Sequence, residues 1–260
     1  MKKYIVSCLL LMHGTLGFSQ VDTTKTSQNS LGIRVGYNQG YFKDLNFSPL
    51  NYTEAGMLFG LTYTKLSSKE KGVLNVDLEF SSSQLKTKKS SYLVSNSTLA
   101  NLEISYLRRV SSSKDLSFYI GGEYSSYVQI VDWQDFDSFS YLASHGIGVK
   151  GLLFYDLTPI HRFSTSLFIP VFQFLARPPY NGIDEEIIEN QDNIAKIIFN
   201  GSPSSVGQYL ALEWKINYLL SISEKVDLSA TYLLRYQNLS EINKVIHLQN
   251  QLSIGANIKF

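Results

Sequence analysis

The residues best suited to catalysis lie close together near the middle of the chain. Asp135 and Asp137 belong to an acidic stretch, and Ser144 and His145 follow shortly after it. A histidine can act as a general base, an aspartate can orient that histidine, and a serine hydroxyl or a water molecule can attack a substrate. His145, Asp137 and Asp135 are therefore the candidate catalytic residues.

The spacing of these residues argues against a serine–histidine pair. Ser144 and His145 are neighbours in a predicted strand, so their side chains point to opposite faces. The chain contains neither a Gly-x-Ser-x-Gly elbow nor a His-Glu-x-x-His zinc motif. We predict no metal site and no cofactor, and we favour a non-enzymatic protein, with a hydrolase at this position as an alternative hypothesis.

The elements that must position these residues are strands, because period-two alternation dominates from Leu31 to Phe260. The clearest case is the last segment, where one face carries Leu248, Asn250, Leu252, Ile254, Ala256, Ile258 and Phe260 and the other face carries polar residues and Gly255. Ten such segments can be counted: 31–40, 54–66, 72–84, 97–110, 116–130, 139–155, 162–174, 208–221, 226–238 and 245–260.

The connections between these segments alternate in length. They are short after the second, fourth, sixth and eighth segments and longer after the others, and the longest runs from Leu175 to about Gly207. This alternation, with an even strand count, is typical of a bacterial outer-membrane barrel. The sequence predicts an all-β, up-and-down antiparallel transmembrane β-barrel of about ten strands over residues 31–260, with short periplasmic turns and longer extracellular loops.

A soluble β-sandwich or barrel would also alternate, but three features favour the membrane barrel. Several segments exceed the five or six residues usual in soluble sheets. The faces opposite the apolar ones are unusually charged for a core. The apolar faces also end in aromatic residues, as an interfacial girdle requires: Tyr37, Phe80, Tyr106, Tyr155, Trp214, Tyr218, Tyr236 and Phe260.

The polar faces would line the lumen of this barrel. Eight strands close on their own side chains, whereas open aqueous channels need about sixteen. We therefore expect ten strands to be plugged by ion pairs, with a narrow channel for small or lipophilic solutes as an alternative. The predicted lumen charges are Arg34, Asp77, Glu79, Glu103, Arg109, Glu123, Lys150, Glu213, Lys215, Arg235 and Lys259.

The N-terminus predicts export. Lys2 and Lys3 precede a short apolar stretch, and small residues precede a cleavage site after Ser19. We expect a signal peptide at 1–19 and a flexible periplasmic lead-in at 20–30. Cleavage would remove the single cysteine and leave 21 Lys and Arg against 22 Asp and Glu. This near-neutral charge argues against nucleic acid as a partner.

The final strand resembles the C-terminal assembly signal of outer-membrane barrels, because it ends on an aromatic residue after alternating apolar positions. The residues that carry this resemblance are Leu252, Ile254, Ala256, Ile258 and Phe260. The sequence Gly17-Phe18-Ser19 before Gln20, together with the Tyr- and Gly-rich strands, resembles outer-membrane barrels of the Bacteroidota type. The resemblance implies insertion by the barrel assembly machinery into outer-membrane lipid, and it implies no activity.

The longest connection carries a possible helical stripe of isoleucines: Ile183, Ile187, Ile194 and Ile198. Such a helix could cover the barrel mouth, lie on the lipid surface or bind a partner protein. We therefore expect a non-enzymatic outer-membrane barrel whose extracellular loops bind a partner envelope protein or a surface ligand.

Overall fold

The computed structural model describes residues 28–46, 48–133, 138–177, 189, 192–240 and 243–260. Within these ranges no helix has the length and hydropathy of a membrane span. A 3-10 turn (Ser68–Glu70) follows the second strand, and a short helix, α1 (Ile194–Phe199), follows the seventh. The strands are β1 (Gln28–Asp44), β2 (Ser48–Leu66), β3 (Gly72–Thr87), β4 (Ser90–Ser112), β5 (Leu116–Trp133), β6 (Ser138–Thr158), β7 (His161–Ala176), β8 (Ser202–Ser205), β9 (Tyr209–Ser221), β10 (Val226–Leu239) and β11 (Val245–Lys259).

The strands close into a barrel. Neighbouring strands of the wall pair antiparallel in sequence order, with β9 next to β7, and β1 pairs with β11 from Ser30 to Asp44. The four-residue β8 pairs with the upper part of β7, while β9 pairs with the lower part, so these two segments form one interrupted wall strand. The fold is thus the predicted up-and-down barrel of ten strands, closed between the first and the last.

The strand ends differ on the two sides of the barrel. At the end that holds Gln28 and Phe260, here called the terminal end, the predicted bounds agree with the structure to within a few residues. At the opposite end, here called the outer end, some strands continue past the predicted bounds: β1 reaches Asp44, β2 begins at Ser48 and β4 begins at Ser90, whereas β6, β7, β9, β10 and β11 agree with the predicted bounds to within two residues. Much of the predicted loop sequence is therefore strand, and only the 177–201 connection is long.

The N-terminal predictions lie largely outside the described residues, which begin at Gln28. The expected signal peptide at 1–19 is among them, as is most of the expected lead-in at 20–30. Because β1 begins at Gln28, the last three residues of that expected lead-in belong to the barrel wall.

An apolar belt surrounds the outer wall. Its side chains point away from the lumen and are exposed, and they include Leu31, Ile33, Val35, Tyr37, Met57, Phe59, Leu78, Phe80, Ile147, Val149, Leu167, Ile169, Leu252, Ile254 and Ile258. A closed barrel satisfies the backbone hydrogen bonds of every strand, so such a belt can face lipid. Toward the outer end the exposed wall becomes polar, as at Thr53, Gln84, Lys86 and Thr98.

Candidate functional site

The middle of the lumen is filled by one connected network of charges. Four cations, Arg34, Lys150, Lys215 and Arg235, alternate with five carboxylates from Asp77, Glu79, Glu103, Glu123 and Glu213. Seven barrel strands contribute to this network, here called the charge network. Charges on an inner wall must be paired because an isolated buried charge is very costly.

Arg235 lies at the centre of the charge network. Its Nε and Nη2 donate to Glu213 at 3.0 and 2.9 Å, and its Nη1 donates to Glu79 at 3.3 Å across the lumen. Its Nη2 also lies 3.5 Å from Glu103 of the opposite wall. One guanidinium therefore links β10 to β9, β3 and β4, as its five donors in a rigid fork permit.

Lys215 and Lys150 tie the remaining carboxylates together. The Lys215 ammonium lies 3.2 Å from Glu103 and 3.4 Å from Asp77. Lys150 donates to Glu123 on the neighbouring strand and approaches Glu103 to 3.9 Å. Glu103 thus receives three cations from three different strands, and the network crosses the lumen rather than following its wall.

Gly60 makes room for the fourth cation. Arg34 donates to Asp77 at 3.0 Å and to Glu79 at 3.0 Å, and its guanidinium lies next to Gly60 of β2. A Cβ atom on Gly60 would lie 2.5 Å from the Arg34 Cζ. A larger residue at this position would have to displace the guanidinium from its carboxylates.

A second polar layer lies beyond the charge network toward the outer end. His247 and Glu54 form a buried pair with 2.5 Å between Nε2 and the carboxylate. Asn38 donates to the same carboxylate at 2.9 Å, and the Tyr127 hydroxyl lies 3.0 Å from His247 Nδ1. Buried polar groups need such partners, so this layer is also packed rather than open.

An apolar layer, here called the apolar seal, closes the lumen at the outer end. Its side chains point inward, are at most 9% exposed and pack as one cluster. Each of the ten wall strands contributes at least one of them: Phe42, Tyr52, Leu85, Leu99, Tyr127, Val131, Leu142, Leu175, Tyr209, Leu239 and Val245. Close packing of such side chains leaves few voids large enough for water.

An ion pair crosses the mouth above the apolar seal. Arg177, just after β7, pairs with Asp44 at the end of β1 and donates to the Asn243 carbonyl oxygen at 2.7 Å. Burial lowers the pKa of Arg177, while the Asp44 carboxylate acts in the opposite direction. The pair therefore holds nearly opposite walls of the mouth together.

The terminal end, by contrast, contains a cavity. It has a volume of about 200 Å³ and extends from the charge network to strand-end residues such as Gln28, Leu66 and Lys259. Arg34, Asp77, Lys150 and Lys215 form its floor. The lumen is thus filled at the outer end and hollow at the terminal end.

Nine of the eleven predicted lumen charges meet in the charge network. The other two lie nearer the terminal end: Lys259 pairs with Asp227 at 2.7 Å, and Arg109 is half-buried opposite Tyr119. Sequence reasoning missed the Glu54–His247 pair. Glu54 shares a face with Gly56 and Gly60, and that parity would have placed it in the lumen.

The candidate catalytic residues do not form a site in the described residues. His145 lies on the outer wall, where its Nδ1 is 2.9 Å from the Ser126 hydroxyl and its Nε2 is 3.0 Å from the Ile198 carbonyl oxygen. Ser144 faces the lumen and donates to Gln173 at 2.9 Å. Asp135 and Asp137 lie outside the described residues. Among the residues that are described, no group of three metal-ligating side chains occurs.

The predicted loop helix is only partly described. Ile183 and Ile187 lie outside the described residues, whereas Ile194 and Ile198 belong to α1. This helix packs against β6 and β7, and the Phe199 ring stacks on His145 with centroids 4.2 Å apart. The described helix therefore covers the outside of the wall rather than the barrel mouth.

The residues of the predicted assembly signal lie on the outer face of β11. Leu252, Ile254, Ile258 and Phe260 are exposed, and Ala256 is half-buried between them. This strand also closes the barrel against β1. Its role in insertion stays a prediction.

Solved structures of bacterial outer-membrane barrels are similar to this chain. The outer membrane protease OmpT from Escherichia coli has a TM-score of 0.51 and 6% identity, with 93% of this chain and 99% of that chain covered. The translocator domain of the autotransporter NalP from Neisseria meningitidis has a TM-score of 0.44 and 10% identity, with 92% and 90% covered. No family model matches the sequence, and no curated protein matches it.

At these identities the likeness to OmpT shows the fold alone. The membrane location rests on the barrel itself, because a closed antiparallel barrel with an outward apolar belt is the architecture of outer-membrane proteins. The chain is therefore an outer-membrane β-barrel protein.

Proposed function

We propose that this protein is a closed, non-conducting barrel that acts by binding a partner protein or a surface ligand at its outer end. The observation that carries the proposal is the apolar seal, to which all ten wall strands contribute. A continuous layer of packed apolar side chains offers no path to ions or polar solutes, because desolvating them there is too costly. The charge network forms a second barrier in series.

The two alternative functions have less support. A narrow channel needs a continuous path, whereas the lumen is filled twice along its length. A hydrolase needs a free base, whereas both ring nitrogens of His145 are engaged and its ring is covered by Phe199. The Bacteroidota-type resemblance of the leader and of the Tyr- and Gly-rich strands is compatible with the binding role and specifies no ligand.

The outer end offers two kinds of binding surface. One is the projecting wall of β1 to β4, whose exposed face is polar and which carries exposed lysines at position 86 near the end of β3 and at 88 and 89 in the β3–β4 turn. The other is the 177–201 connection with α1. Because the other outer connections are short, we propose that the strand walls and this connection, rather than flexible loops, form the contact.

Bilayer conductance tests the closed state. We expect the reconstituted wild-type barrel to be silent, and we expect silence again when only one barrier is weakened, by Tyr52→Ala with Leu99→Ala or by Arg235→Ala. Weakening both barriers should produce measurable ion current. Steady current through the wild-type protein would contradict the proposal and support the channel.

Affinity purification from outer membranes in mild detergent tests the binding role. We expect a stoichiometric partner that is lost on Lys86→Ala with Lys89→Ala or on deletion of residues 183–199. The matched control is Lys69→Ala with Lys71→Ala, which removes two lysines from a turn at the terminal end. A barrel that purifies alone, or a partner retained by both outer-end variants, would contradict the proposal.

A further inference from the structure

The cavity at the terminal end has two unlike walls. The wall from β2, β3, β4 and β6 carries five apolar side chains that pack as one cluster with the buried Tyr119: Leu66, Val73, Leu107, Leu152 and Phe154. The polar side chains of Thr62, Thr64 and Asn75 also line it. The facing wall, from β9, β10 and β11, carries hydroxyl and amide groups. Its members are Asn217, Ser229, Thr231 and Asn257.

The floor of the cavity is selectively cationic. Nine residues form the charge network, yet only four of them line the cavity, and three of these are the cations Arg34, Lys150 and Lys215. The only carboxylate of the network that lines the cavity is Asp77, whereas Glu79, Glu103, Glu123 and Glu213 do not line it. The network therefore presents its positive side to the cavity.

The rim of the cavity has the same sign. Arg162 and Lys259 line it against a single acid, Asp227. Lys259 is paired with Asp227, and Arg162 is paired with Asp156, which lies outside the cavity lining. A small anion that enters from this end therefore passes a rim, and then reaches a floor, where the lining residues carry more positive than negative charges.

One polar group that lines the cavity has no partner. The Ser105 hydroxyl is buried, and among the described residues no group lies within hydrogen-bond distance of it. A buried hydroxyl without a partner is costly, so a ligand or water that bonds to it would be stabilised. Ser105 lies on β4 two residues from Leu107 of the apolar wall, where the polar floor meets that wall.

We propose that this cavity is a binding site for a small amphipathic anion. The anionic group lies on the cationic floor formed by Arg34, Lys150 and Lys215, and the apolar body lies along Leu107, Leu152 and Phe154. The volume of about 200 Å³ is smaller than a drug-sized pocket of about 300–1,000 Å³, which restricts the ligand to few heavy atoms. The site is independent of the outer-end surfaces and opens on the periplasmic side.

Titration calorimetry on the detergent-purified barrel tests the proposal, with benzoate as the probe. Benzamide is its neutral counterpart, benzylamine its cationic counterpart, and acetate the anion without an apolar body. We expect saturable one-to-one binding of benzoate and at least tenfold weaker binding of the other three. Equal heats for benzoate, benzamide and benzylamine, or no saturable binding of benzoate, would overturn the proposal.

Two tryptophan variants distinguish binding of benzoate in the cavity from its partitioning into the detergent micelle. Ser164→Trp should fill the cavity and abolish benzoate binding, whereas Leu167→Trp, a change of the lipid-facing wall on the same strand, should leave it unchanged. Lys215→Gln should weaken binding at least tenfold, but it also disturbs the charge network. Ser164→Trp leaves every charge in place, so undiminished binding by that variant overturns the proposal even if Lys215→Gln fails to fold.

Discussion

Two sections of β3 carry their apolar residues on opposite faces: the section within the apolar belt, here called the belt section, and the section toward the outer end, here called the outer section. Along β3, Leu78 and Phe80 point outward into the belt, while Asp77 and Glu79 point into the lumen. A few residues later Leu85 points inward into the apolar seal, while Gln84 and Lys86 are exposed. The period of two continues without a break, yet the face that carries the apolar residues changes.

The medium outside the wall explains this inversion. Where lipid surrounds the barrel, apolar side chains are stable outside, and the lumen must hold the polar ones in paired form. Where water surrounds it, the wall folds as a small soluble barrel does, with polar residues outside and a packed apolar interior. On β3 the inversion between Phe80 and Leu85 therefore marks where the wall leaves the membrane.

The largest effect should come from removing the centre of the charge network. Arg235→Ala leaves Glu213, Glu79 and Glu103 without their shared cation in a buried place. Breaking a buried pair in this way costs about 3–5 kcal/mol. We expect a loss of that size in the free energy of unfolding, measured by urea titration in micelles.

Two controls sharpen this prediction. Arg235→Met combined with Glu213→Gln removes charge from both partners and should cost less than Arg235→Met alone. Lys86→Ala removes an exposed cation at the outer end and should change the free energy of unfolding by less than about 0.5 kcal/mol. If Arg235→Met, the double variant and Lys86→Ala all lower the free energy of unfolding by the same amount, the network does not behave as a coupled unit.

The second effect compares two leucines of β3 on either side of the inversion. Leu85 is 0% exposed in the apolar seal, whereas Leu78 is 46% exposed in the belt. Leu85→Ala should cost about 2–5 kcal/mol because it leaves a cavity in packed surroundings. Leu78→Ala should cost much less, because lipid refills the space. Equal losses in urea titration would show that the outer section has no packed core.

Much of the fold was predictable because lipid imposes a strict alternation on each strand. The terminal-end strand bounds and nine members of the charge network follow from that alternation alone. The outer ends of β1 to β5 were predicted too short, because the phase inversion at residues such as Leu85 and Phe42 breaks the lipid-facing pattern and resembles a loop. A search for continued alternation with inverted phase would have found it.

The sites were less predictable than the wall. Alternation places a residue on a face, but it does not say which charges meet across the lumen. Lys215 and Asp77 are distant in sequence, and their pairing depends on barrel diameter and strand tilt. The cavity was missed for a related reason. It exists where the inward side chains are small, and the Ser, Thr and Asn residues at these positions contribute little to a hydrophobic periodicity.

A third, smaller effect should follow from a methyl group placed beside Arg34. Gly60→Ala puts a Cβ 2.5 Å from the guanidinium carbon, so Arg34 must move away from Asp77 and Glu79. Overpacking of this kind costs about 1–3 kcal/mol. The matched control is Gly122→Ala, since a Cβ there would contact nothing closer than 3.9 Å. A neutral Gly60→Ala would mean that the Arg34 contacts add little to the free energy of unfolding.

The smallest effect should be confined to the outside of the wall, where His145 holds α1. The His145 ring satisfies both contacts when Nε2 donates to the Ile198 carbonyl oxygen and Nδ1 accepts from the Ser126 hydroxyl. His145→Phe keeps the stacking on Phe199 but loses the hydrogen bond to α1, worth about 1 kcal/mol. We expect roughly fivefold faster tryptic cleavage after Lys196 and an unchanged urea midpoint.

His145→Ala should accelerate that cleavage further, because it also removes the stacked ring. The same two variants test the hydrolase hypothesis. If His145 only positions α1, cleavage changes and no enzymatic activity is involved. If instead both variants abolish a hydrolytic activity while tryptic cleavage after Lys196 stays at the wild-type rate, His145 is a catalytic base and its contact with α1 is incidental.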